Sequence, residues 1–213
     1  MTMIPDLVIG NTIDDSDSYM VFDFETPGLD YRRDRIVQVG ICQVVDGNVA
    51  DAQSWLVNQA VQIPSEATQT HGITTERMMA DGIPTEDSVR RLLTFLAQAR
   101  ECVGHNVHRF DVLFLTVEAS RYGLACPSFR DYVDTAALFK GWKVGMHKSH
   151  DISHEEYANR VLSIPVAGLK YSLPVCIEEL GIALPTDNLH DAGRDCHATH
   201  LIYEELKGIS RQS

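Results

Sequence analysis

The sequence predicts an α/β fold: a mixed five-stranded sheet, with a three-strand antiparallel meander followed by parallel strands, flanked by helices. Two features predict it. Three apolar runs come first, over residues 19–24, 35–45 and 49–57, and the last two are joined by Asp46-Gly47, a strong hairpin signal. After them, short apolar runs at 102–104 and 132–134 alternate with segments of helical period, the pattern of parallel strands connected by helices.

Each element has a local reason. Tyr19-Met20-Val21-Phe22-Asp23-Phe24 is apolar enough to be the central strand. Residues 65–79 read as short helices around a His71-Gly72-Ile73-Thr74 turn. Pro84-Thr85 opens a helix reaching about Arg100, with Thr85 as candidate N-cap and Val89, Leu92, Leu93 and Leu96 on its apolar face. Residues 110–122 form an amphipathic helix stopped by Gly123. Residues 172–180 and 193–206 close the chain as helices. Before them, residues 141–167 lack clean periodicity and read as an irregular insertion. The expected organisation is an N-terminal extension over 1–18, one domain over 19–208 and a tail over 209–213.

With 213 residues, 44% hydrophobic and 23% charged, the chain suits one soluble core. Its acidic N-terminus, with Asp6, Asp14, Asp15 and Asp17, has no basic leader region. Cys42, Cys102, Cys126, Cys176 and Cys196 are widely spaced and read as reduced thiols, so a cytoplasmic location is expected. A net charge of −12 argues against coating long nucleic acid. It does not exclude gripping a strand end, where bound cations supply the positive charge.

Three groups of residues carry chemistry. In Asp23-Phe24-Glu25, strand alternation sends both carboxylates to one face, beside the turn Thr26-Pro27-Gly28. Paired acids there suit a hard cation such as Mg²⁺ or Mn²⁺, and equally a solvated strand end. In Gly104-His105-Asn106-Val107-His108-Arg109-Phe110-Asp111, Asp111 fits a helix N-cap as well as a ligand. In His190-Asp191-Ala192-Gly193-Arg194-Asp195, Asp191 is the better N-cap, which leaves His190 and Asp195 to face elsewhere.

Together, D-x-E, N-x-x-x-F-D and H-x-x-x-x-D resemble the DEDDh (DnaQ-like) 3′→5′ exonucleases of the ribonuclease-H-like superfamily. The resemblance extends to Asp34-Arg35-Ile36-Val37-Gln38-Val39-Gly40, Leu56-Val57-Asn58, Ile63-Pro64, His71-Gly72-Ile73-Thr74, Asp134-Thr135 and Leu180-Gly181-Ile182. Pro27, Cys196 and an Asn106-to-Asp111 loop one residue longer than usual depart from the family pattern, but no ligand position is lost. The resemblance implies a ribonuclease-H-like sheet and two Mg²⁺ (or Mn²⁺) ions held by Asp23, Glu25, Asp111 and Asp195. It also implies His190 as general base and 5′-nucleoside monophosphates as products.

Thr26, Leu29, His71, Asn106 and Phe110 match positions near the terminal nucleotides, although His71 and Asn106 fit purely structural turn roles as well. Arg32, Arg33 and Arg35 form a basic patch beside them, either touching phosphate or solvated. The implied partners are single-stranded nucleic acid or the 3′ ends of DNA or RNA, within a homodimer or a larger nucleic-acid-processing complex, and no membrane. In the unmatched 141–167 segment, Trp142 and Tyr157 could stack on bases while Lys143, Lys148 and Arg160 meet phosphates; a plain surface segment with Trp142 packed inward is the competing reading. Other readings are a non-catalytic binding module, a ribonuclease-H-like endonuclease or transposase, and zinc held by His147, His150 and His154. Five intact catalytic positions oppose the first, the His190/Asp195 pair the second, and the lack of a completing acid or cysteine the third.

Overall fold

The computed structural model describes residues 18–128, 131–184 and 190–212. The N-terminal extension up to residue 17 lies outside them. Three strands open the fold: β1 (Ser18–Glu25), β2 (Gln38–Val45) and β3 (Asn48–Asn58). They pair antiparallel, with Ser18 opposite Val45 and Glu25 opposite Gln38. The β2–β3 hairpin turns on Asp46 (φ 51°) and Gly47 (φ 72°), two successive left-handed residues of the kind a tight twisted hairpin needs. β2 starts three residues later than expected, at Gln38, which pairs with Glu25, the last residue of β1.

Next come α1 (Ser65–His71), α2 (Thr75–Asp81), β4 (Ile83–Pro84) and α3 (Thr85–Gln98). β5 (Cys102–Gly104), α4 (Asp111–Arg121), β6 (Val133–Asp134) and α5 (Thr135–Val144) follow, then α6 (His154–Ser163), α7 (Leu173–Glu179) and α8 (Ala192–Gln212). The sheet order is β4-β3-β2-β1-β5-β6, with β4, β5 and β6 each parallel to its neighbour. The mixed sheet is as expected but has six strands. The extra one is Ile83–Pro84, two residues at the edge, where proline's missing N–H costs no ladder bond.

Three further expectations need correction. Thr85 is the first helical residue and not the cap; its hydroxyl donates to the Asn58 carbonyl (3.1 Å), tying α3 to β3. The 141–167 segment is not irregular throughout. α5 runs into it as far as Val144, and α6 lies inside it, capped by the Ser153 hydroxyl on the Glu156 N–H (3.1 Å). Its apolar spacing of Tyr157, Val161 and Leu162 seats it against Ala136 and Ala137 of α5. Finally, α8 continues to Gln212, so the expected tail from 209 is helical over 209–212.

β1 is covered on both faces. Met20, Phe22 and Phe24 pack with Val89, Leu92 and Leu96 of α3 and Val112, Phe114 and Leu115 of α4. Tyr19 and Val21 pack with Cys196 and Tyr203 of α8. Alternation therefore assigns Asp23 and Glu25 to the α8 side.

Glu118 of α4 is 1% exposed and is held by Arg35 (2.6 and 3.0 Å) and Arg121 (3.0 Å). Truncating Arg35 leaves this buried carboxylate with one cation. Arg35→Ala should lower stability by about 1–3 kcal/mol in urea denaturation, below the full cost of breaking a buried pair because Arg121 remains. Arg35→Lys should recover little of it, since an ammonium cannot make the two-pronged contact.

Candidate active site

The first pair of acids ends β1. Beyond it the chain makes a braced turn, in which the Thr26 hydroxyl donates to the Gly28 carbonyl (2.6 Å) and Asp34 accepts from the Asp30 N–H (2.8 Å). The Asp34 carboxylate occupies the space a side chain at position 28 would need, so a larger residue there would displace Asp34 from its bond to the Asp30 N–H. Leu29 is left 83% exposed at the rim.

The third acid, Asp111, begins α4 and is 1% exposed. It is not the N-cap; Phe110 holds that position, and Asp111 Oδ1 is buried with no hydrogen-bond partner. The loop before it is fixed from outside. Asn106 is left-handed (φ 59°), and its N–H donates to Asp134 Oδ1 (2.9 Å), the same oxygen that caps α5 through Ala136 and Ala137. His105 is clamped between the Thr135 hydroxyl and the Tyr171 carbonyl, both at 2.9 Å, and burial pushes its pKa down to about 4.

The fourth acid comes with α8. Asp191 caps the helix, accepting from the N–H groups of Gly193 (3.2 Å) and Arg194 (3.3 Å), as its position suggested. That turns Asp195 inward, 8% exposed, while exposed His190 (φ 78°) points its backbone N–H at the Asp195 carboxylate (3.2 and 3.3 Å). Among the described residues, Glu25, His190 and Asp195 form a group whose ligand atoms all lie within 4.8 Å of one another.

These pieces line one cleft of about 400 Å³, with Asp23, Glu25, Thr26, Leu29, His71, Phe110, His190 and Asp195 in its wall. Asn106 and Asp111 are not in that lining; Asp111 is buried, near enough to Asp23 to raise its pKa. α1 contributes Glu66, Ala67 and Thr70, which sequence reading missed although Ala67 stands one helical turn from His71. His71 Nδ1 accepts from the Ile73 N–H (3.1 Å), so the neutral ring carries its proton on Nε2, a buried nitrogen with no partner.

The carboxylates crowd one another. Burial first, then Asp111, Asp195 and Glu25, raise the Asp23 pKa well above the usual carboxylate range. Burial, then Asp195, Asp191 and Asp111, push Glu25 to about 8, and burial also raises Asp111 and takes Asp195 to about 6. Such a set of hard oxygen donors, one of them an orphaned buried oxygen, fits one or more divalent cations.

The basic side chains near the cleft are less free than the sequence suggested. Arg35 is committed to Glu118, while Arg32 and Arg33 remain exposed. In the 141–167 segment, Tyr157 is buried with its hydroxyl on the Met146 carbonyl (2.8 Å), and Trp142 packs edge-on against Phe139. Lys143 pairs with Glu179 and Arg160 with Glu156. A base-stacking platform from Trp142 and Tyr157 is therefore overturned by their packing.

Comparison with known proteins agrees with this architecture. The profile of a family described as Exonuclease (RNase T) matches residues 20–203. The PolC-type DNA polymerase III of Clostridium perfringens is 34% identical over 112 residues, 52% of this chain and 8% of that protein. The Thermotoga maritima protein of the same description is 32% identical over 137 residues, 62% of this chain and 10% of its own length. The chain thus spans about a tenth of these relatives.

Escherichia coli exonuclease I, solved with a dA16 oligonucleotide, superposes with a TM-score of 0.71 at 17% identity, over 90% of this chain and 41% of that one. Exonuclease X, solved with 5′-overhanging duplex DNA, gives 0.59 at 22% identity, over 90% and 92%. At these identities the likeness is one of fold.

The raised carboxyl pKa values set a pH dependence for the metal-free protein. Glu25 binds its proton more tightly folded than unfolded, so its contribution favours folding below its ordinary value of about 4.3. That contribution is lost as pH rises toward about 8. In chelator, thermal melts from pH 5 to 8 should show Asp23→Asn/Glu25→Gln gaining stability over the unaltered chain as pH rises. Saturating Mg²⁺ or Mn²⁺ should reverse the difference, because the ions favour the ionised acids of the unaltered site. Parallel profiles with and without metal would refute the crowding argument.

Proposed function

The chain belongs to this exonuclease family, and on that premise we propose that it removes nucleotides stepwise from the 3′ ends of nucleic acid by the DEDDh variant of two-metal-ion hydrolysis. The observation that carries the reading is the convergence of acids from three elements: Asp23 and Glu25 of β1 and Asp195 of α8 line one cleft with His190, and buried Asp111 at the start of α4 lies near enough to raise the Asp23 pKa. In this reading Asp23, Glu25, Asp111 and Asp195 hold two Mg²⁺ or Mn²⁺ ions. When bound, the pair supplies the positive charge that stabilises the entering and leaving oxygens of an in-line displacement at phosphorus.

The protein's own groups do the rest. His190 accepts the proton of the attacking water on its ring, and its placement is supported by the bond from its backbone N–H to Asp195. The turn from Thr26 brings Leu29, an exposed apolar side chain, against the terminal base, and Phe110 lines the same cleft. His71 Nε2–H offers a donor to the terminal nucleotide. The products are 5′-nucleoside monophosphates. The solved complexes of exonucleases I and X contain DNA, so DNA is the first substrate to test.

The direct test is a panel of 3′- and 5′-labelled DNA and RNA oligonucleotides, single- and double-stranded. A 5′ label should give a ladder shortening from the 3′ end, and a 3′ label should appear at once as mononucleotide. EDTA should abolish cleavage, Mg²⁺ or Mn²⁺ should restore it, and Ca²⁺ should support little turnover because its looser geometry positions the water poorly. Activity in chelator, or mononucleotide released first from the 5′ end, would sink the proposal.

Single substitutions test the roles. Asp23→Asn should slow a folded enzyme at least about 100-fold by weakening metal binding. His190→Ala should cost about 10²–10⁴-fold in a folded protein that still needs the metal. A folded His190→Ala protein that cleaves at the unaltered rate would identify another base.

A further inference from the structure

β2 opens with a buried amide, Gln38, 4% exposed and directly opposite Glu25 in the sheet register. Both ends of its side chain are used, and both reach the start of α8. Nε2 donates to Asp191 Oδ2 (2.9 Å), and Oε1 accepts from the Ala192 N–H (3.1 Å). Asp191 is thereby held on two sides, one oxygen on the sheet through Gln38 and the other on the helix through Gly193 and Arg194. Backbones also meet here, since a side chain at Gly40 would collide with the Ala192 carbonyl and the Gly193 nitrogen.

His190 immediately precedes this anchor. Its φ of 78° lies in the left-handed region, which a β-carbon disfavours and which persists when surroundings over-determine it. A loose Asp191 would let His190 relax to an ordinary backbone angle and carry its ring away from the cleft. We propose that Gln38 is a positioning residue for His190: through Asp191 and Ala192 it fixes the chain where it enters α8, and so fixes the imidazole. This rests on the assignment of His190 as general base made above.

Gln38→Glu tests it, because the carboxylate cannot donate to Asp191 and sets two acids face to face. On a 5′-labelled oligonucleotide with saturating Mn²⁺, kcat should fall about 10–100-fold, the scale at which groups behind a ligand act, with KM nearly unchanged. Adding Asp191→Asn exchanges donor and acceptor. The asparagine then donates to the glutamate, Ala192 still donates to it, and net charge returns to that of the unaltered chain, so kcat should recover to within about threefold.

The deciding measurement repeats Gln38→Glu in a His190→Ala background. If Gln38 acts through His190, the further loss there should be under about twofold, whereas a merely structural role would cost the same in both backgrounds. If Gln38→Glu does not fold, Asp191→Asn alone replaces it in the same cycle, since one acceptor oxygen must then serve both Gln38 and the helix N–H groups. Full activity of Gln38→Glu, failure of the exchange to restore kcat, or an undiminished loss without His190 would each overturn the inference while leaving the exonuclease reading intact. No cleavage by the unaltered chain would overturn both.

Discussion

Four carboxylates are crowded at this site, three of them lining the cleft and Asp111 buried close to Asp23, and like charges at such range repel strongly once water is excluded. Left to itself, an acidic cluster of this kind would move apart or take up protons. The raised pKa values of Asp23, Glu25, Asp111 and Asp195 express that tendency. Much of the buried polar hardware around the site has the matching task of keeping the acids together. Bound divalent cations would turn the same crowding from a cost into an affinity.

That hardware is distributed over the whole domain. Asp134 joins the cap of α5 to the loop before Asp111. Gln38 joins the sheet to the start of α8. Arg35 and Glu118 join the turn beyond β1 to the body of α4. Each contact ties an acid-bearing element, or the segment next to one, to another part of the fold. None of these bracing side chains lines the cleft itself. A mutation at any of them acts through position, which distinguishes it from the loss of a ligand.

The strong negative charge becomes intelligible in the same frame. Surface basic groups are sparse, and several are already committed, including Arg35, Lys143 and Arg160. Little cationic surface is left to track a long phosphate backbone. Under the proposed function, recognition would concentrate on the strand end, at the cleft that Leu29 and Phe110 line. The two PolC-type relatives are far longer, and this chain spans 8% and 10% of them.

Local chemistry made the chain's order of strands and helices legible. The Asp46-Gly47 turn, the apolar period of α3 and the Asp191 cap each depend on neighbours a few positions away. Period-2 alternation was also enough to put Asp23 and Glu25 on one face of β1. The motif spacing could pair those acids with Asp111, His190 and Asp195 by resemblance, because the residue types themselves are few and distinctive.

The sixth strand was not legible, since two residues at an edge carry no period and are defined by the neighbour they pair with. Neither was α6, whose cap and apolar face became recognisable as a helix against α5. The roles of Gln38 and Arg35 depended on partners 154 and 83 positions away. Gln38 could be suspected as an amide in an apolar strand, but which helix it holds is a fact of three-dimensional packing. A side chain's type constrains what it can bond, while tertiary structure decides what comes within reach.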